Sequence, residues 1–541
     1  MLLLSPVLIT PWWSFDAVNV PRFAILVVIS GFCLPILLLD FARKTRDKVT
    51  KKDQKVLYLF VLLQISILMP IIGSKSSLQD QMFGAPGRWS GGLTLVSLLI
   101  VFAYSYQINS ALRDSLLNKI LWFGGLGNLA YASIQALDKD PINWQNQYGP
   151  VIGFMGNPNF LSAYLGFFTV LIISQIQFSV DKNWPRNIFK TLMLIWSVYI
   201  LILTDSIQGL VILCGGIFII FAIKLYYTQK SLFKIFIMSG SLFSMFIFAS
   251  FIGLGPLGDL LKQSTLLTRL EFWNAAWKIF LDFPFFGVGL DQYGNWYPAY
   301  RSPGIVNSYG PDLYTNSAHN VFLDKAAQGG ILLFGSYILL HIVIIVGVFA
   351  RLSKGPLNSF DVALIAMSFG FVLHEFISVN TLTLSIFGHA LFGLVLGKLS
   401  KLDYEDSKAK MNNSKLNLVR SRTSILQVVT AFMALWLIFP VVKNDLNFRA
   451  AILSKDGNRI LKVAKAKPFN ESHVLLSASI FYDNGYTKIA NSILQEYLEQ
   501  NKRSYRSLEM LLARNTELRE QEKYDLRLEL FKLDPLNPAS R

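Results

Sequence analysis

The chain has 541 residues, of which 53% are hydrophobic and only 16% are charged. A soluble protein of this length needs more polar surface, so the composition excludes that class and predicts a polytopic membrane protein. The formal net charge of +16 does not indicate a nucleic-acid partner, because most basic residues lie in short links between apolar runs. Basic residues in such links set the topology of a membrane protein.

Twelve apolar segments have about the 20-residue length that a membrane-spanning helix requires. They are residues 22–40, 56–74, 91–108, 120–137, 151–177, 190–204, 206–226, 235–254, 319–350, 359–379, 380–398 and 424–443. With the basic links on the cytoplasmic side, both termini and the long polar stretch 255–318 lie outside. The sequence therefore predicts an all-α membrane domain over 1–443 with a large extracytoplasmic loop at 255–318.

An arginine stands in the outer link after the second span, within "QDQMFGAPGRWSGG". Glycines and a proline surround Arg88, so backbone amides can approach an anion closely at this point. The segment therefore predicts an outer anion-binding position at Arg88.

The fifth predicted span opens with the polar residues of "GFMGNPNFLSAYLGFF". Pro158 suits a helix start or a local break. Unwound backbone at membrane depth is tolerated only beside protein or a wet cavity. Two interpretations stay open: Asn157 and Asn159 bind polar groups of a ligand, or they form a structural cap for the span.

The long outer loop contains a predicted helix with an arginine and two tryptophans on one face. Arg269 precedes Trp273 by one turn and Trp277 by two, and Pro284 in "DFPFFGVG" ends the helix. A guanidinium at the bilayer surface suits a diphosphate, which it binds through a bidentate fork, or it anchors the loop to lipid headgroups. Arg301, in "PAYRSPG", is a further outer cation.

A histidine stands at the outer edge of the span that follows, in "TNSAHNVFLDKAAQGG". Asn316 and Ser317 are helix-capping residue types just before it. Neutral His319, with a reference pKa of about 6.5, can accept a proton at ordinary pH; the alternative is a capping or snorkelling histidine. The three histidines inside predicted spans are expected to be satisfied by neighbouring helices; they are His341, His374 and His389.

Residues 444–541 differ from the rest, because they are charged and show helical apolar periodicity. The segments "KPFN", "EQNK" and "DPLNP" recur at Pro468, Asn501 and Pro535, with spacings of 33 and 34 residues. This period predicts a small tetratricopeptide-like helical-repeat domain; an irregular helical bundle is the alternative. The sequence has no phosphate-binding loop or zinc motif and gives no basis for a metal.

Taken in order, "FGAPGRWSGG", "GNPNFLSAYL", the arginine–tryptophan helix with "FPFFGVG", and "AHNVFLDKAAQGG" resemble the bacterial O-antigen ligase family. That family also includes repeat-unit polymerases and protein O-oligosaccharyltransferases, and the resemblance covers roughly residues 80 to 400. It implies a GT-C-like helical architecture in the bacterial inner membrane. It also implies a metal-independent transferase, without a cofactor, that moves a glycan from a polyprenyl diphosphate carrier to an acceptor on the outer face.

The resemblance also implies roles for individual residues. His319 corresponds to the family's essential histidine, which takes the proton of the acceptor hydroxyl, while Arg269 stabilises the departing diphosphate. The expected substrate-binding residues are Arg88, Asn157, Asn159, Gln208, Arg301 and Asn320. The chain departs from the family at two positions. Gln208 stands where an arginine is frequent, and Gln328 where a glutamate is frequent, which leaves Asp324 as the nearest carboxylate for His319.

The acceptor stays open between a glycolipid, a polysaccharide and a protein. Polysaccharide ligation or polymerisation ranks first and protein O-glycosylation second. A helical-repeat region at 444–541 also predicts a protein partner, since such arrays present concave binding surfaces. Two other classes remain as alternatives: a glycan or lipid transporter without chemistry, and a membrane scaffold whose function lies in 444–541.

Overall fold

The computed structural model describes residues 1–46, 51–107, 111–144, 149, 151–178, 183–251, 266–379, 381–400 and 413–540, and these contain helices and no β-strand. The helices before the long loop are α1 (Asn19–Arg46), α2 (Lys51–Gly73), α3 (Leu78–Phe83), α4 (Gly92–Gln107), α5 (Ala111–Ala136), α6 (Pro158–Gln177), α7 (Trp184–Leu203), α8 (Ile207–Thr228) and α9 (Lys230–Phe251). The next are α10 (Leu266–Asp282), α11 (Tyr293–Tyr300), α12 (Pro303–Tyr309), α13 (Val321–Leu352), α14 (Ser359–Ile377) and α15 (Leu382–Ser400). Residues 266–320 are called the loop segment below.

Each predicted span coincides with a helix in the described parts of the chain. By length and composition, nine described helices can cross a membrane, and two more, Gly92–Gln107 and Leu382–Lys398, are apolar but shorter. The remaining one, α5, begins at Ala111, before its predicted start at 120. An all-helical polytopic membrane protein is confirmed, while the number of helices that cross and their sidedness stay predictions.

The centre of the bundle is formed by α6, α8 and α14, which pack against one another. Helices α6 and α8 approach closely, because a Cβ placed on Gly166 would lie only 2.8 Å from the Gly209 carbonyl oxygen. In lipid, small residues at such crossings allow the van der Waals packing that joins helices. The same bundle pairs α4 with α15 and α1 with α16 (Asn413–Ser454).

The fifth predicted span, 151–177, is shorter than expected. Helix α6 begins at Pro158, and Asn157 is its N-cap, with its Oδ1 accepting from the Asn159 amide at 2.8 Å. The residue before the cap, Gly156, has a φ of 74°, outside the helical region. Residues 151–157 therefore form a link outside α6, with one short 3-10 helix at Gly153–Met155, and the apolar composition of the link concealed the break.

Helix α13 is interrupted at Gly330, which has φ 68° and ψ −166°. The turn after α10 packs into this break: the Ile331 amide donates to the Pro284 carbonyl at 2.7 Å. A Cβ on Gly330 would lie 2.4 Å from the Phe285 carbonyl oxygen, so glycine alone fits. The turn thereby holds α10 against the first part of α13 and positions the loop segment.

The C-terminal region continues α16 with α17 (Gly457–Ala464), α18 (Glu471–Asp483), α19 (Thr487–Gln500), α20 (Tyr505–Arg514) and α21 (Glu520–Leu533). Helices α18 and α20 begin directly after "KPFN" and "EQNKRS", as a repeat predicts. The region is thus helical, while the tetratricopeptide-like assignment and the boundary at residue 444 stay predictions.

The C-terminal region packs on the loop segment through a contact called the docking seam, formed by Arg301 with Asp534 and by Arg503 with Trp296. The Arg301 guanidinium donates to both carboxylate oxygens of Asp534, at 2.9 and 2.7 Å, and both side chains are buried. The Arg503 guanidinium lies 3.5 Å from the centroid of the Trp296 ring.

Candidate active site

His319 lies in the link before α13, not inside the span predicted over 319–350. Asn320 is the N-cap of α13, and its Oδ1 accepts from two backbone amides of the first turn, at 3.1 and 3.2 Å. The predicted caps Asn316 and Ser317 are wrong, because helical geometry begins only at Val321. His319 itself has a φ of 54°, a left-handed conformation that is uncommon outside glycine and often accompanies a functional constraint.

The link that carries His319 is held in place by Asp324, in the first turn of α13. Asp324 Oδ2 accepts from the Ser317 hydroxyl at 2.5 Å, and Oδ1 accepts from the Ala318 amide at 2.8 Å. No hydrogen bond joins Asp324 to the His319 imidazole in the described chain. The carboxylate therefore positions the backbone before His319, and the suggestion that it pairs with the imidazole finds no such contact.

The His319 imidazole stacks on the Phe272 ring of α10, with ring centroids 5.6 Å apart and planes at 27°. Neither ring nitrogen has a hydrogen-bond partner among the described residues. Burial, and then the positive charges of Arg269 and Arg88, lower the pKa of His319 from 6.5 to about 4. The imidazole is therefore neutral at ordinary pH and carries a lone pair that no described protein group uses.

Arg269 lies in the first turn of α10, one turn before Phe272, where its charge acts on the His319 imidazole. The guanidinium is half-buried and has no hydrogen-bond or ion-pair partner within the described ranges. Burial lowers the pKa of Arg269, but an arginine keeps its charge at physiological pH. A partly desolvated cation is costly unless an anion meets it, which is compatible with an anion at Arg269; anion binding there stays a prediction.

Arg88 connects the α3–α4 link to the backbone just before His319. Its Nη1 donates to the Asn316 carbonyl at 2.7 Å, and its Nε lies 3.6 Å from Asp291 Oδ1. Asp291 is held in turn by Gln328, whose Oε1 accepts from the Asp291 amide at 3.0 Å. The structure thus brings the two arginines and the histidine of the sequence analysis to one place, from three separate segments.

A cleft opens beside Arg88, among α2, α4, α13 and α15, and is called the bundle cleft. Its polar lining consists of Arg88, Ser90, Thr94, Asp324, Lys325, Gln328, Ser385 and His389, and its other walls are mainly leucines. His319 and Arg269 do not line it, although the helix that His319 precedes does so from Val321 onward. Apolar walls together with cationic side chains suit a lipid chain that carries an anionic head.

Lys325 is a candidate site residue that the sequence analysis missed. It is buried in the first turn of α13 and lines the bundle cleft together with Arg88. Its Nζ lies 5.9 Å from the centroid of the Tyr337 ring. The signal was available in the motif that contains His319, because an ionisable residue within a predicted span indicates function by default.

The three histidines that were expected to be satisfied by neighbouring helices differ in outcome. The ring nitrogens of His374 have no hydrogen bond to a neighbouring helix in the described residues, so the expectation is wrong for His374. His341 Nε2 lies 2.9 Å from Glu375 Oε2 of α14, which confirms its expected bond to a neighbouring helix. The Tyr337 hydroxyl donates to the other Glu375 oxygen, and His389 Nδ1 lies 2.9 Å from the Ser385 carbonyl of its own helix. Glu375, the partner that joins these groups, is another intramembrane ionisable residue that the sequence analysis did not name.

Asn157, Asn159 and Gln208 lie together where α6 and α8 begin, away from the residues that line the bundle cleft. Asn159 Oδ1 accepts from the Ser206 hydroxyl at 2.7 Å, so this amide joins the two helix starts. Gln208 is buried, and its Oε1 has no hydrogen-bond partner in the described parts of the chain. The contacts of the two asparagines match the structural-cap interpretation, and ligand binding by these three residues stays a prediction.

Arg301 points toward the C-terminal region. Besides its ion pair with Asp534, its Nη1 donates to the carbonyls of Pro311 and Leu313 at 2.6 and 3.3 Å. Its place is therefore the docking seam, and a substrate contact by Arg301 stays a prediction. No group of three His, Cys, Asp or Glu side chains that could hold a metal occurs in the described residues; independence of a metal also stays a prediction.

Comparison with known families gives one match: residues 192–338 fit the family model described as O-antigen ligase. The matched range runs from α7 into α13 and includes Gln208, Arg269, Arg301, His319 and Asn320. The α3–α4 link, the start of α6 and the C-terminal region lie outside it. No curated protein matches the chain.

Proposed function

We propose that the chain, whose residues 192–338 match the O-antigen ligase family model, transfers a glycan from a polyprenyl diphosphate carrier to an acceptor hydroxyl. The family supports a glycosyl-transferring membrane protein that ligates or polymerises glycans. The proposal places the reaction at the outer face of the bacterial inner membrane and takes a glycolipid or a growing polysaccharide as the acceptor.

The single observation that carries the proposal is the imidazole of His319, which has no hydrogen-bond partner among the described residues and whose pKa is lowered by burial and by the charges of Arg269 and Arg88. His341, by contrast, uses both ring nitrogens in contacts with Tyr337 and Glu375. A general base needs the opposite, namely a free lone pair within reach of a substrate proton. The two cations nearby supply the charge that a leaving diphosphate requires.

The proposed reaction is a displacement at the anomeric carbon of the donor sugar. His319 accepts the proton of the acceptor hydroxyl while that oxygen bonds to the anomeric carbon. The bond from carbon to the diphosphate oxygen breaks, and its electron pair stays on the carrier diphosphate. Arg269 and Arg88 stabilise the negative charge that grows there, because guanidinium groups form charge-assisted hydrogen bonds to phosphate oxygens.

Donor binding also prepares the base. The charges of Arg269 and Arg88 help to hold the pKa of His319 at about 4 in the free protein. A bound diphosphate would compensate both charges and so raise the proton affinity of the imidazole, since a nearby anion favours the protonated form. His319 would therefore become a stronger base only when the donor is present, which limits wasteful reaction in its absence.

The bundle cleft supports a lipid-linked donor. Arg88 and Lys325 line it together with leucines of α2 and α4, a pairing that fits a diphosphate head and an isoprenoid chain. Such a pocket buries most of its ligand while a few polar groups fix orientation. Protein O-glycosylation is the alternative within the family, and the docked helical C-terminal region is the feature that favours it.

The test is a transfer assay on the purified full chain in detergent, with polyprenyl diphosphate-linked glycan from the same cells and with acceptor glycolipid, polysaccharide and protein in separate reactions. The expected result is a glycosylated acceptor and free carrier diphosphate from wild type, and neither from His319→Ala. Reactions with and without chelator test independence of a metal. Intact carrier in every reaction with both proteins would contradict the proposal and favour a transporter or a scaffold.

A further inference from the structure

A second cleft lies between the α3–α4 region and the C-terminal region; it is called the tail cleft. Four aromatic side chains line it: Phe83 from the end of α3, Trp89 from the α3–α4 link, and Phe469 and Tyr497 from the C-terminal region. The link that carries Arg88 therefore borders both clefts. Neither the family match nor the proposed reaction accounts for the tail cleft, since it lies outside residues 192–338.

Two carboxylates stand among these rings, Asp80 from α3 and Glu471 from the start of α18. Glu471 accepts from the Ser504 hydroxyl, and with its amide nitrogen turned toward α3, Asn501 donates to Asp80 Oδ2 at 2.5 Å. Burial, together with the negative charge of Glu471, raises the pKa of Asp80 to about 6. Each carboxylate keeps further acceptor sites, because an ionised carboxylate offers about four lone-pair positions.

A buried polar atom at the same cleft lacks a partner. His473 lines the tail cleft and is only 3% exposed, and its Nε2 has no hydrogen-bond partner among the described residues. Asp445 Oδ1, at 3.9 Å, is too distant for one. Because buried polar atoms in native proteins are generally bonded, this nitrogen indicates that a ligand or water reaches it.

We propose that the tail cleft binds a sugar residue, neutral or amino-substituted, of the glycan that the protein handles. Aromatic faces pack against the C–H surface of a pyranose, while carboxylates and an imidazole take its hydroxyl groups. The two carboxylates repel an anion, which separates this site from the cationic diphosphate position at Arg88. Whether the bound sugar belongs to the donor or to the acceptor rests on the proposed function. The ability of the cleft to bind a sugar does not.

The experiment measures saccharide binding by saturation-transfer NMR on the purified full chain in detergent. The probes are glucose, N-acetylglucosamine, glucosamine and the free oligosaccharide released from the carrier lipid of the same cells, with glucuronate as an anionic comparison. The cleft variants are Asp80→Asn and Phe469→Leu. Glu499→Gln, which removes a charge from an exposed position of α19, is the matched control, and thermal unfolding checks that each variant is folded.

The expected result is binding of at least one neutral or amino sugar to wild type, with affinity about tenfold lower in each cleft variant and unchanged in the control. Equal binding by wild type and both cleft variants overturns the proposal. So does equal binding of glucuronate, or a cleft occupied by a peptide in place of every sugar. If one variant does not fold, the other still decides the question.

Two further measurements separate this inference from the proposed function. His319→Ala should bind the sugar as wild type does, even though it transfers nothing. If wild type transfers no glycan but binds the sugar, and the cleft variants do not bind it, the proposed transferase function is refuted and the proposed sugar site in the tail cleft is supported. In an active enzyme, the cleft variants should raise KM for the lipid-linked donor or for the acceptor, whichever supplies the sugar; unchanged KM for both overturns the proposal.

Discussion

Two arginines of the loop segment stand in opposite surroundings. Arg301, in the docking seam, is buried and donates to both oxygens of Asp534, whereas Arg269 has no hydrogen-bond or ion-pair partner in the described residues and lies beside an equally unpartnered imidazole. Native proteins generally satisfy their buried polar groups. The ion-paired arginine therefore indicates domain docking, although its buried Nε has no partner in the described residues, and the unpaired arginine suits a position for a ligand.

The C-terminal region and the bundle are each attached to the loop segment by a different contact. The docking seam joins the C-terminal region to the loop segment, and the turn at Gly330 joins the loop segment to the bundle. The site lies between these two attachments. Changes on the Arg269 side should therefore affect chemistry without affecting folding, and changes on the Arg301 side should affect folding first.

The largest effect is expected from His319→Ala. Loss of a positioned general base lowers kcat by about 10² to 10⁴, while thermal unfolding and membrane insertion stay as in wild type because the imidazole makes no described hydrogen bond. Glycan transfer from the lipid-linked donor measures the loss. His319→Gln, which stays polar but does not accept the proton, should be equally inactive; normal turnover by either variant removes His319 from the mechanism.

Arg269→Ala should lower transfer by about 10² to 10³, the range for removing one group that stabilises developing negative charge. Arg269→Lys keeps the charge but loses the planar fork, so it should recover only part of the activity. Lys278→Ala is the control, because it removes an exposed cation from the same helix and should leave transfer unchanged. Equal losses in Arg269→Ala and Lys278→Ala would indicate a general effect of charge on lipid binding.

Arg301→Ala should act mainly on stability. Removing one partner of a buried ion pair costs about 3 to 5 kcal/mol, because the other charge stays buried alone, so the C-terminal region should become sensitive to limited proteolysis. Exchanging the pair as Arg301→Asp with Asp534→Arg should restore part of the protection. Arg519→Ala, which breaks an exposed ion pair with Glu522, should change nothing measurable. A stable Arg301→Ala protein without activity would support a substrate contact instead.

The smallest effect is a shift in pH dependence. Since the pKa of His319 lies at about 4, the imidazole of wild type is a free base above that pH, and kcat/KM should fall only as the pH drops toward 4. Arg269→Gln removes a positive charge that disfavours protonation, so the pKa of His319 should rise and the residual activity should fall at higher pH. Arg269→Lys should keep the wild-type profile; identical profiles in all three proteins would show that Arg269 does not act on His319.

The sequence by itself determined the helical membrane architecture and much of the site. Spans follow from local apolar content, and helix α10 ends before Pro284 for a local reason, as α6 begins at Pro158. The motif around His319 and the position of Arg269 in α10 could also be identified in the sequence, because both depend on residues that are neighbours along the chain. Local composition misled at helix boundaries: Gly156 breaks an apolar run that otherwise matches a span, and helical geometry begins only at Val321 in the span predicted from 319.

The tertiary structure alone decided which charges meet. Arg301 and Asp534 pair across 233 residues of sequence, and the pKa of His319 is lowered by its burial and by arginines from two other segments. Lys325 lines the bundle cleft, and Glu375 contacts the buried His341, because folding packs together helices that are far apart in sequence. Hydropathy is a property of neighbouring residues, whereas desolvation and ion pairing depend on the groups that folding brings within a few ångströms.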